Sequence, residues 1–79
     1  MKYHSTDQRV QVGDVVRYFG EEGKIVFVID DDSFSTPYPK EHWSYLGKGV
    51  GIEMQNGKWK GNLFVITTSE TDEDLEPKA

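Results

Sequence analysis

The sequence predicts a mainly β fold: a small four- to five-stranded, partly open barrel with one short helical turn near 40–46. Three observations carry this expectation. Short runs of β-branched and aromatic residues recur along the chain, in VQV, VVRYF, KIVFVI, VGIEM and LFVI. Turn formers separate them: GEEG, DDDSFSTPYP, GKG and NGK. The chain has only 79 residues, so its strands must be short and strongly twisted, and closing on themselves hides edges that would otherwise invite aggregation.

Taken in order, residues 1–9 are polar and aperiodic and read as a flexible lead-in. The barrel domain spans 10–67. Val10 and Val12 alternate with polar residues, Gly13-Asp14 interrupts, and Val15–Phe19 resumes, so this is a strand with a bend or bulge at the glycine. GEEG (20–23) is a turn. In KIVFVID five apolar residues, Ile25 to Ile29, are consecutive. That suits a strand buried on both faces, or a coiled strand serving two halves of a barrel. The 30–39 loop carries three aspartates and two prolines. Pro39 opens a helix of one or two turns, Lys40 to Leu46, that stops at Gly47. So short a helix needs Trp43, Tyr45 or Leu46 docked on the sheet. In GVGIEMQ, Val50, Ile52 and Met54 face one way and Gly51, Glu53 and Gln55 the other. Asn56-Gly57 is a type I′ hairpin signal, and KWKGNLFVITT returns as the partner strand. Residues 68–79 read as an acidic tail in which Leu75 either pins the tail or is idle.

Composition excludes several functions. There is no cysteine, hence no disulfide or thiolate metal site. The longest aliphatic and aromatic run is far below the roughly 20 residues of a membrane span or the 7–15 of a signal peptide. The expectation is a soluble, cytoplasmic protein with no membrane partner. Net charge is −5 and the isoelectric point about 4.8. The last ten residues hold five acids and one lysine, giving −4; residues 1–69 hold nine acids and eight bases, giving −1. This argues against a phosphate backbone as ligand and for a basic protein partner, or for a tail that confers solubility.

The run VGDVVRYFGEEGKIVFV (12–28) resembles the opening hairpin of Src-homology-like small barrels, especially the KOW-type group. Val12-Gly13-Asp14 precede the strand, and Gly20, Gly23 and Lys24 close the turn. The resemblance implies that Gly13 allows a bend, that Asp14 accepts a backbone hydrogen bond there, and that Gly23 takes a positive backbone angle. Nucleic-acid-binding members carry basic loops; this chain has Glu21-Glu22 and Asp30-Asp31-Asp32 instead. With PYPKEHWSYLGKGVGIEM and the DEDLE ending, the chain is also similar to small bacterial proteins of toxin–immunity gene clusters. That likeness implies an immunity-type inhibitor.

No nucleophile elbow or phosphate-cradling loop is present, and no acid/base pair stands out, so an enzyme is not expected. His4 and His42 match no metal-ligand spacing, and neither a metal nor a cofactor is expected. The expected function is non-catalytic protein binding, by a monomer or weak homodimer. The candidate site is Asp30, Asp31, Asp32, Phe34, Tyr38, His42 and Trp43, since aromatic residues in loops dominate interfaces. Within it HWSYL caps the barrel and FSTPYP faces outward. Tyr38-Pro39 would also suit an aromatic groove for proline-rich peptides. The alternative is a KOW-type RNA- or ribosome-associated module using Arg9, Arg17, Lys24, Lys48, Lys58 and Lys60 on one face.

Overall fold

The computed structural model describes residues 3, 8–36, 38–67 and 75–77. The calls on most of the lead-in and the tail, on Pro37 and on His4 lie outside the described residues.

The mainly β expectation holds. Among the described residues one antiparallel sheet contains six strands and does not close: β1 (Val15–Tyr18), β2 (Glu21–Val28), β3 (Ser33–Phe34), β4 (Val50–Met54), β5 (Leu63–Ile66) and β6 (Leu75–Pro77). Strands run in the order β5-β4-β2-β1-β6, and β3 pairs with β2 off that path. The helical turn falls where the sequence places it. Helix α1 (Lys40–Trp43) follows Pro39, runs on as a 3₁₀ turn over Ser44–Leu46 and stops at Gly47. Among the described residues no helix is long and apolar enough to cross a membrane.

Register explains the five consecutive apolar residues of β2. Ile25 lies opposite Ile52, but Phe27 lies opposite Gly51 and Val28 opposite Val50, so a bulge falls between Ile25 and Phe27. The extra residue shifts the alternation. Ile25 and Val28 share one face with Val16, Val50, Ile52, Met54, Ile66 and Leu75, which form the main core with Tyr3 and Val10. Phe27 is turned to the opposite face and is also fully buried. Both faces of β2 are therefore covered, one of the two arrangements its periodicity allowed.

Two turn assignments differ from the sequence reading. The β1–β2 hairpin pairs Tyr18 with Glu21, so its loop is Phe19-Gly20 and not GEEG. Both loop residues have positive φ, 52° and 80°, as a type I′ turn requires. Gly23 lies within β2 and has no positive φ. A Cβ there would meet Ile52 Cγ2 at 2.6 Å, so the glycine makes room for the core. Conversely, Asn56-Gly57 is no type I′ turn: Asn56 is extended at φ −141°, ψ 169°, and Gly57–Trp59 is a 3₁₀ turn. The loop closes further on, where the Met54 N–H donates to Asn62 O and the Gly61 N–H to Met54 O, both at 2.9 Å. A wider loop is stable here because Trp59 can then pack on the core beside Phe64.

Asp14 is the acceptor that holds the bend after Gly13. Its carboxylate accepts the Gln11 N–H at 3.0 Å and the Tyr3 hydroxyl at 2.7 Å. Tyr3 is only 2 % exposed. Burial, then its bond to Asp14, drives the phenol's pKa strongly upward, so it stays a neutral donor. Leu75 is 1 % exposed and pairs with Tyr18 as β6, which places it as an anchor for its segment.

Candidate functional site

The second face of the sheet holds an aromatic cluster centred on Phe27. Phe27 covers Gly51 on the next strand, so closely that a Cβ on Gly51 would lie 2.3 Å from the ring. The 3₁₀ turn Ile29–Asp31 ends at Asp32, in the left-handed region at φ 55°. The chain can thereby double back as β3, which sets Phe34 directly opposite Phe27. The two rings stack at 6.0 Å and 22°. The bulged Val26 carbonyl then accepts both the Ser35 N–H, at 3.0 Å, and the Ser35 Oγ–H, at 2.7 Å. The Tyr38 N–H donates to Ser35 O. These bonds steer Tyr38 back over the sheet, 6.2 Å from Phe27. Helix α1 lays Trp43 nearly parallel to Phe27 at 5.1 Å and 22°, with Tyr38 at 6.2 Å from Trp43.

Phe34, Tyr38 and Trp43 are all half-buried. Trp43 anchors the helix, as its shortness demands. Tyr45 is 76 % exposed and does no docking. Phe34 and Tyr38 depart from the outward display expected of FSTPYP. Each turns one side to Phe27, because the return of the chain through β3 brings them onto the sheet.

Tyr38 is fixed at both ends. Its hydroxyl donates to Glu53 Oε2 at 2.5 Å, and Gln55 Nε2 donates to Glu53 Oε1 at 3.1 Å. The bond to Glu53 pushes the Tyr38 pKa up to about 12. The same bond, followed by that from Gln55, lowers the Glu53 pKa. Each group therefore holds the other in its ordinary neutral-pH state.

The acidic loop is more self-contained than its sequence suggests. The Asp30 carboxylate accepts the Gly49 N–H at 3.2 Å. Asp31 is paired with Arg9. Asp32 meets Lys40 Nζ at 2.9 Å, which ties the loop to the helix that carries Trp43. Asp31 and Asp32 are thus each answered by a base of the same chain. His42 is exposed on α1. Of the expected site residues, Phe34, Tyr38 and Trp43 come together on Phe27; Asp32 reaches the helix through Lys40, whereas Asp30 and Asp31 bond to Gly49 and Arg9.

The bases of the alternative reading lie on different elements. Arg17 is registered between Glu22 and Glu76, and Lys24 opposite Glu53. Arg9 is held by Asp31, while Lys58 lies 5.1 Å over the Trp59 ring. Among the described residues no three His, Asp or Glu side chains gather as a metal cluster.

Phe27, Gly51, Glu53 and Gln55 complete the site and were not singled out by sequence. A signal existed for three of them: the alternation in GVGIEMQ puts Gly51, Glu53 and Gln55 on one face. The bulge that brings Phe27 to the same face leaves no mark on composition. Comparisons with protein-family models, curated proteins and solved structures gave no match.

Proposed function

We propose that this chain is a non-catalytic, cytoplasmic module that binds another protein through the Phe34–Tyr38–Trp43 surface, with Asp32 and His42 at its edge. The observation that carries this reading is the shared support of three half-buried rings by one fully buried phenylalanine. Rings held in this way lose little side-chain entropy when a partner covers them, which is how aromatic residues come to dominate interfaces. The more specific proposal is an immunity-type inhibitor of a basic toxin. The net charge of −5 favours encounter with such a partner. Since the aspartates are largely answered within the chain, the contact itself rests on the rings more than on the loop charges. The scatter of bases among acids supports a protein partner over RNA.

The test is affinity capture from an extract of the native cells. The wild type is compared with the double variant Asp32→Lys/Phe34→Ala and with the control Lys58→Glu. A basic protein retained by the wild type and the control, and lost by the double variant, is the expected result. Nothing captured at micromolar bait, or a protein indifferent to the double variant, would sink the proposal.

A further inference from the structure

Trp43 and Tyr38 are the electron-rich rings of the aromatic cluster. Trp43 lays one face nearly parallel to Phe27 at 5.1 Å and 22° and stays half-exposed, so its other face is the one left for a partner. Tyr38 stands beside it, 6.2 Å away and inclined at 51°. The pair makes two inclined walls, and the face of each carries negative potential.

The potential over Tyr38 is reinforced from behind. Its hydroxyl donates to Glu53 Oε2 at 2.5 Å, and a phenol that donates to a carboxylate is polarised toward the phenolate. The other Glu53 oxygen accepts from Gln55 Nε2 at 3.1 Å. Both donors are uncharged, so they fix the carboxylate in place without neutralising it. They also lower its pKa, which keeps it ionised at neutral pH. Of roughly four lone-pair positions on a carboxylate, two remain for a further donor. Lys24, opposite Glu53 on β2, is the base that faces it by register.

Among the described residues no base of the chain is set over Trp43 or Tyr38. Lys58 takes the Trp59 ring at 5.1 Å, Arg9 is held by Asp31, and Lys40 by Asp32. We propose that Tyr38 and Trp43, with Glu53 behind Tyr38, seat an arginine side chain of the protein partner. The proposal deepens the protein-binding reading given above and rests on it for the source of that arginine. Arginine fits better than lysine. Its guanidinium is planar and weakly hydrated, so it can lie along the Trp43 face while its N–H edge turns to the Glu53 carboxylate. A lysine ammonium is a compact, strongly hydrated charge and gives up more water for less contact. The overall charge of −5 favours the approach of such a group.

A magnetic-resonance titration of the whole chain tests this. The probe is the blocked tripeptide acetyl-Gly-Arg-Gly-amide, run beside its citrulline and lysine counterparts; citrulline keeps the planar shape and loses the charge. At equal peptide concentration the Trp43 indole N–H signal is expected to shift about fivefold further with arginine than with citrulline, with lysine between them. The Trp59 signal is the internal reference, because Lys58 already lies over that ring, and it is expected to stay in place. Glu53→Gln keeps an acceptor for the Tyr38 hydroxyl and removes the charge. It is expected to weaken the arginine response severalfold and to leave the citrulline response as it was, a split that a merely structural role for Glu53 would not produce. Equal responses to arginine and citrulline overturn the proposal, and so does an arginine response that Glu53→Gln leaves untouched. Failure here is separable from failure of the protein-binding reading. A captured cellular protein beside equal arginine and citrulline responses removes the seat and leaves that reading standing; an arginine seat with no captured protein does the reverse.

Discussion

Tyr38 and Glu53 make stability depend on pH in a direction the geometry sets. Glu53 has a lowered pKa in the fold, so its contribution is present above the ordinary carboxylate value and is lost as pH falls through the folded one. Tyr38 is raised from 10.0 to about 12, so its contribution is present below 10.0 and is lost as pH climbs toward 12. Tyr38→Phe should therefore cost about 1 kcal/mol at neutral pH. The gap from wild type should close in acid and again in strong alkali, as followed by urea denaturation at several pH values. A constant gap across that range would show that the hydroxyl acts otherwise. Gly51 is a sharper case. A methyl there would overlap the Phe27 ring, so Gly51→Ala should lower stability by about 2 kcal/mol, read as a fall in denaturation midpoint. At this scale the sequence was partly legible. Asp14 as a backbone acceptor was legible beside Gly13, because that bond is local. The bond between Tyr38 and Glu53 was not legible, because it joins a loop to a strand 15 residues away.

At the scale of elements, strands and helix could be read because apolar runs and prolines act within a few residues. Turns could be misplaced because identical turn chemistry has two claimants in this chain. Asn56-Gly57 has the better type I′ composition, yet the turn with two positive φ values is Phe19-Gly20. Tertiary packing decides this: Tyr18 must align with Leu75 on one side and Glu21 on the other, which leaves Phe19 in the left-handed region at 63 % exposure. Gly57 nevertheless matters. Its φ is +79°, and a Cβ there would meet Glu21 Oε2 at 1.9 Å. Glu21 can swing aside, so the backbone angle sets the cost, and Gly57→Val should destabilise by about 1 kcal/mol or somewhat more. Thermal melts of this variant beside Gly61→Ala, where φ is +85° but the space is open, separate the two causes. Equal losses would assign the effect to the backbone alone.

The described residues form a single sheet with apolar packing on each side, and the last of their strands comes from residues that read as a tail. Leu75 is the single large apolar residue of that segment, and it is buried against the main core. Leu75→Ala should cost about 2–3 kcal/mol, a large share of what so small a domain possesses. Chemical denaturation would show a clear drop in midpoint; an unchanged midpoint would mean that β6 contributes nothing. The acidic ending is thus bound up with folding through one side chain, whatever its charges do for solubility. Domain class and strand content were legible because composition and period act along the entire chain. The division of the sheet into two faces was not, because one inserted residue in β2 reassigns Phe27.

That reassignment has a consequence for how the recognition surface can change. Phe34, Tyr38 and Trp43 each lean on the same buried post, so none of them can be remodelled without disturbing the footing of the other two. The surface should drift under selection as a block, with replacements arriving in sets.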